Sequence, residues 1–152
     1  MPEQMRIVLD TNCLLASLSR HSMFYPVWKG FQTGKYILCL TNDILMEYEE
    51  IIGLKTSPEV GKNVVALLLK SKNVEFVDAY FKWRLIEADH DDDKFVDCAF
   101  AARATYIVSE DKHLDVLKTI DFPKIAVLKL KQFLQTLLEN EVDQNPTPPT
   151  PN

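Results

Sequence analysis

The stretch Met5-Arg6-Ile7-Val8-Leu9-Asp10-Thr11-Asn12 reads as a short, mostly apolar strand that runs into a polar turn. Thr11–Leu18 then has helical character. The same alternation recurs downstream. Tyr36–Leu40 is a second strand, apolar on both faces, as suits a strand covered by helices. Thr41 or Asn42 can cap the helix that follows, where Ile44, Leu45, Tyr48, Ile51 and Ile52 recur at helical spacing. Val74–Val77, Tyr106–Ser109 and Ile125–Leu128 supply three more strands. Strands alternating with helices predict an α/β fold, with a parallel sheet wound by right-handed crossovers.

The connecting segments carry their own punctuation. Pro26 predicts a break, after which Val27–Thr33 forms a helix and Gly34 ends it. Gly53 is expected to stop the next helix. Ser57 with Pro58 starts another, with Val60, Val64, Leu67 and Leu68 as its apolar stripe. Residues 79–90, which include Trp83 and Leu85, are the least regular part. Asp91–Asp93 caps a helix whose buried side is Phe95, Val96, Ala99 and Ala102. Lys112–Lys118 and Lys131–Leu138 complete the helices. Residues 1–140 read as one domain, and 141–152 as a proline-rich, disordered tail.

Bulk properties narrow the class. A chain of 152 residues with 47% hydrophobic content is long enough for one domain with a real core. Its net charge of −5 argues against nucleic-acid binding through bulk charge, but leaves room for a local basic rim. Cys13, Cys39 and Cys98 are widely spaced and read as small buried hydrophobes, neither a disulfide framework nor a zinc site. No signal peptide or membrane span is evident, so a soluble, cytoplasmic protein is expected.

In an open parallel sheet, ligands bind outside the carboxyl ends of the strands. Acids cluster in four places relative to that edge. Asp10 ends the first strand and Asp111 follows the fourth. Glu47 lies near the apolar stripe of its helix, three residues after Ile44, whereas Glu49 and Glu50 point outward. Asp93 opens the helix that leads into the fourth strand. Each also has an ordinary role available, as a helix cap or a solvated charge. Asp91 and Asp92 are read as electrostatic capping at the surface. Asp93 and Asp97 share one helical face, and like charges at that spacing are unfavourable by about 0.2–0.5 kcal/mol without a cation. Gathered carboxylates of this kind call for a hard divalent ion.

Four stretches, in order, resemble the PIN-domain nucleases. They are Ile7-Val8-Leu9-Asp10-Thr11-Asn12, Leu45-Met46-Glu47-Tyr48, Asp91-Asp92-Asp93-Lys94-Phe95-Val96-Asp97-Cys98-Ala99, and Tyr106-Ile107-Val108-Ser109-Glu110-Asp111-Lys112-His113-Leu114. The resemblance spans roughly residues 5–130 and is closest to the toxin components of toxin–antitoxin systems related to VapC. It implies a three-layer α/β/α sandwich with about five parallel strands, and Mg²⁺- or Mn²⁺-dependent cleavage of RNA. By motif it implies Asp10, Glu47, Asp93 and Asp111 as the catalytic and metal-binding acids, with Asp97 as a further metal ligand. Thr11, Asn12 and Ser109 would support them. Glu110 departs from the pattern, where a small residue such as Gly is more usual.

On this reading the ion activates water for in-line attack, leaving a 5′-phosphate. Lys94, Lys112, His113 and Arg20 could contact RNA phosphates, and Tyr48, Tyr25 and Phe24 could stack on bases. His21, His90 and His113 lack a helical metal spacing. The expected partners are RNA, an antitoxin and a second copy of the chain. The alternative is a PIN-like module that binds RNA or protein without cutting. A haloacid-dehalogenase-like phosphatase would want an Asp where Asn12 stands. A receiver domain could use Asp78 and Lys129, but lacks the acidic pair at strand one.

Overall fold

The computed structural model describes residues 4–86, 90–121 and 124–144, with the side chains of His90, Asp143 and Gln144 outside the description. Five strands form one parallel sheet in the order β3-β2-β1-β4-β5. They are β1 (Arg6–Leu9), β2 (Ile37–Leu40), β3 (Val74–Phe76), β4 (Tyr106–Val108) and β5 (Val127–Leu128). Six α-helices flank the sheet: α1 (Thr11–Ser17), α2 (Tyr25–Gln32), α3 (Asn42–Lys55), α4 (Pro58–Lys70), α5 (Asp93–Ala102) and α6 (Leu130–Gln144). This is the α/β sandwich expected from the alternation of strands and helices.

Covering by helices explains why the central strands are apolar throughout. Ile7, Val8 and Leu9 of β1, Leu38, Cys39 and Leu40 of β2, and Ile107 and Val108 of β4 are all buried. The three cysteines are free and buried, as expected.

Local chemistry sets most helix ends. Thr41 accepts a hydrogen bond from Ile44 N and Ser57 one from Val60 N, so both act as N-caps. Gly34 has φ +79° and follows the C-cap of α2. Two boundaries differ from expectation. Pro26 does not break α2 but lies in its first turn, where its missing N–H costs nothing. Gly53 does not stop α3, which continues to Lys55. It lies instead where α3 and α4 cross closely. A Cβ on Gly61 would meet Glu49 O at 2.7 Å and Gly53 N at 3.2 Å. The α4 stripe is also narrower than its sequence suggests: Val64 and Leu68 are buried, but Val60 and Leu67 are exposed. Helix α6 runs past position 141 to Gln144, and the rest of the proline-rich tail lies outside the described residues.

The strand order places the site. The chain moves outward from β1 to β2 and β3, then returns to the other side of β1 to form β4 and β5. Such a reversal opens a crevice at the carboxyl ends of the two strands beside it. Leu9 pairs with Val108, so Asp10 and Ser109 leave the sheet side by side.

Candidate metal centre at the sheet edge

Asp10 and Ser109 are buried at the switch point, and Ser109 Oγ donates to Asp10 Oδ2 at 2.7 Å. Ser109 Oγ in turn accepts from Asp111 N at 3.0 Å, which turns the chain after β4 and fixes Asp111. Burial pushes the Asp10 carboxyl above its ordinary range; the Ser109 and Thr11 hydrogen bonds pull it back, and the nearby charges of Glu47 and Asp111 push it up again. Three of the four acids expected from the sequence thus share one electrostatic neighbourhood.

Asp111 is held in its charged form. The N–H of His113 donates to Asp111 Oδ1 at 2.9 Å and keeps this carboxyl below the usual carboxylate range. That bond also caps the 3₁₀ turn Lys112–Thr119. His113 Nδ1 lies 3.3 Å from Asp111 Oδ1 and 3.9 Å from Asp92 Oδ2. Asp92, Asp111 and His113 each bring a ligand atom within 4.8 Å of the others.

Asp92 corrects the sequence reading. Its place in an acidic run predicts surface charge, yet it is 8% exposed and faces Asp111, whereas Asp91 is exposed as expected. The 3₁₀ turn His90–Asp92 precedes α5 and directs Asp92 inward. The spacing of three consecutive acids gives no hint of which one turns toward the sheet edge; only the path of that turn decides it.

Asp93 and Asp97 are also buried, but their carboxylates are engaged elsewhere. Asp93 Oδ1 accepts from Ile86 N at 2.9 Å, and Asp97 Oδ1 from Trp83 N at 3.0 Å. The i,i+4 pair therefore grips the backbone of the irregular segment that precedes it. Burial raises the Asp97 carboxyl, which the Trp83 bond and the Lys82 charge partly offset and Asp93 reinforces.

Glu47 is half-buried on α3. Thr11 Oγ1 donates to Glu47 Oε2, and Lys94 Nζ sits 2.6 Å from Glu47 Oε1. The Lys94 ammonium, expected to meet RNA, is thus spent on Glu47. Asn12, Lys112 and Arg20 are exposed. Tyr48 cannot stack on a base: it is fully buried and its hydroxyl donates to Leu9 O at 2.6 Å. Phe24 and Tyr25 pack partly against the core. Glu110, the departure from the family pattern, has a structural use, because its Oε1 accepts from Leu130 N at 2.8 Å and caps α6.

The donor set fits a hard cation. Asp92 and Asp111 offer carboxylate oxygens beside the His113 imidazole, and the Asp10 and Glu47 carboxylates lie in the same electrostatic neighbourhood. The ammonium lodged on Glu47 shows the same demand for positive charge.

The PIN domain family model matches residues 6–113. The chain belongs to the PIN domain family. Solved structures agree on the fold. VapBC2 from Rickettsia felis bound to a promoter DNA fragment matches with a TM-score of 0.55 at 15% identity, covering 82% of this chain and 98% of that one. DNA-bound VapBC from Salmonella typhimurium matches with a TM-score of 0.53 at 18% identity, covering 84% and 99%. No curated protein matches the sequence. Among the described residues no helix of this PIN domain is long and apolar enough to cross a membrane.

Proposed function

We propose that this PIN domain is a metal-dependent endoribonuclease, the toxin of a toxin–antitoxin pair acting in the cytoplasm. The observation that carries the reading is that Asp92, Asp111 and His113 bring ligand atoms together beside the switch point of β1 and β4, where the charges of Asp111 and Glu47 also reach Asp10. Asp10, Asp92 and Asp111 would hold the first cation, and Glu47 would join directly or through water. Asp93 and Asp97, ligands on the sequence reading, would position the neighbouring segment. Mg²⁺ or Mn²⁺ bound there would supply Lewis acidity and a water of lowered pKa.

The chain's own residues set up that chemistry. Ser109 fixes one oxygen of Asp10. Thr11 does the same for Glu47. The His113 N–H keeps Asp111 ionised, so that it can bind a cation without first losing a proton. Lys94 can pass from Glu47 to a substrate phosphate once Glu47 has another cation to face. Lys112 and His113 stand at the rim for the RNA backbone.

The VapBC resemblance supports an antitoxin partner. Exposed Met46, Leu54 and Leu69 on α3 and α4 offer apolar surface for it, or for a second copy of this chain. One observation favours a non-catalytic module: Lys94 already neutralises Glu47. A cleavage assay on single-stranded RNA with Mn²⁺ or Mg²⁺ separates the readings. Cleavage is expected in wild type and lost in EDTA and in Asp10→Asn. Activity that survives both would sink the metal mechanism. A wild type that binds Mn²⁺ without cutting would favour the module.

A further inference from the structure

Residues 77–86 form no helix or strand, yet they are tied down. The Asp97 and Asp93 carboxylates take the N–H groups of Trp83 and Ile86. Between those ties lies Arg84, with φ at +52°. A left-handed arginine is costly, and such a conformation persists where the surrounding structure over-determines it. The two ties supply that determination.

The fastened segment presents an alternation of rings and cations, Tyr80-Phe81-Lys82-Trp83-Arg84. Tyr80 is 89% exposed and Phe81 64%. Phe81 leans on Trp83 with centroids 4.6 Å apart, and Trp83 on Phe100 of α5 at 4.5 Å. The rings thus pack edge-on and tilted in a series from Phe100 of α5 through Trp83 to the exposed Phe81. Lys82 and Arg84, with Lys94, Asp93 and Asp97, line an open pocket of about 420 Å³. Among the described residues no carboxylate lies within ion-pair distance of Lys82 or Arg84. Asp93, which lines this pocket, directly follows the turn that carries Asp92.

We infer that Tyr80-Phe81-Lys82-Trp83-Arg84 is a platform for single-stranded RNA, on which unpaired bases stack against Tyr80 and Phe81 while Lys82 and Arg84 hold the phosphates that lead into the acidic crevice. This rests on the ribonuclease reading and specifies its substrate as unpaired RNA. Exposed aromatic faces interleaved with cations are the pairing that single-stranded nucleic acid needs: rings for bases, charge for backbone. An apolar protein partner would use the rings but not the two cations beside them. The adjoining carboxylates do not repel the strand in full, because two backbone N–H donors and Lys82 face them.

The test is fluorescence anisotropy with a labelled single-stranded oligoribonucleotide of mixed sequence, in EDTA, so that cleavage plays no part. Tyr80→Ala with Phe81→Ala should weaken binding at least tenfold, since each stacked base contributes about 1–3 kcal/mol. Tyr80→Phe should retain affinity, and Lys82→Ala with Arg84→Ala should flatten the salt dependence. Trp28 is buried, so quenching of the tryptophan emission on binding should report Trp83. The same RNA as a duplex should bind more weakly. Unchanged affinity in the double aromatic variant, equal binding of duplex, or no binding by wild type would each overturn the platform. Cleavage decides the parent reading separately. Ring-dependent binding without Mn²⁺-dependent cleavage leaves the platform standing and removes the nuclease; cleavage with unaltered KM in the aromatic variant does the reverse.

Discussion

Asp92 and Asp93 are neighbours of the same type, yet they serve two different parts of the molecule. Asp92 looks toward β4 and joins Asp111 and His113. Asp93 looks toward residues 77–86 and, with Asp97, accepts their backbone N–H groups. Successive residues of a helical turn point about 100° apart, which turns these two adjacent acids toward different surroundings. The lesson is that an acidic run at a helix start can divide its labour. One carboxylate meets a second carboxylate and an imidazole. The next meets a backbone N–H donor.

The largest effect should come from the first region. Asp10→Asn is expected to lower Mn²⁺-dependent RNA cleavage by about 100-fold or more, measured as single-turnover rate. Residual activity near wild type would remove Asp10 from the chemistry. Comparing Asp92→Asn with Asp93→Asn breaks the division directly. Asn keeps a carbonyl oxygen for a backbone N–H but is a poor cation ligand. Asp92→Asn should therefore weaken Mn²⁺ binding, read by titration calorimetry, roughly 10- to 100-fold. Asp93→Asn should cost far less. Equal losses would show that both acids bind the ion.

The second region should respond in stability. Asp97→Ala strands the Trp83 N–H and should destabilise the fold by about 1–3 kcal/mol in urea titration, with faster proteolysis near residues 77–86. Asp97→Asn should restore most of that loss. If the alanine variant is as stable as wild type, the tie is not holding the segment.

The smallest expected effect sets two acids of the first region against pH. Burial raises the Asp10 carboxyl in the folded state above its unfolded value. Its contribution is then most favourable below the unfolded value and is lost as pH rises through the folded one. Metal-free Asp10→Asn should accordingly gain stability relative to wild type as pH rises above the ordinary aspartate range. Asp111 is shifted the other way, by the His113 N–H. Its contribution is present above the unfolded value and fades as pH falls through the lowered one, so Asp111→Asn should lose stability at neutral pH. Urea midpoints of both variants across the acid range would test the opposed signs; parallel curves would contradict them.

Much of this was legible in the sequence. Alternating apolar runs announced the parallel sheet, because a strand covered on both sides must be apolar on both faces. Thr41 and Ser57 announced helix starts, because their hydroxyls satisfy N–H groups that the helix leaves over. Asp10, Glu47 and Asp111 could be placed near one edge because strand ends and the registers next to them are local properties. Gly53 and Pro26 misled for the complementary reason. Their local preferences favour a stop, but helix crossing uses the first and the opening turn of α2 tolerates the second.

What the sequence determined alone is the periodicity, the caps and the supply of carboxylates, all of which depend on residues within a turn or two of one another. What only the tertiary structure decided is which carboxylates meet. Ser109 can reach Asp10 because β1 pairs with β4 across 99 positions of chain, and Asp92 rather than Asp93 faces Asp111 because the turn before α5 orients it so. Electrostatic coupling acts through distance in space, and a sequence gives only distance along the chain.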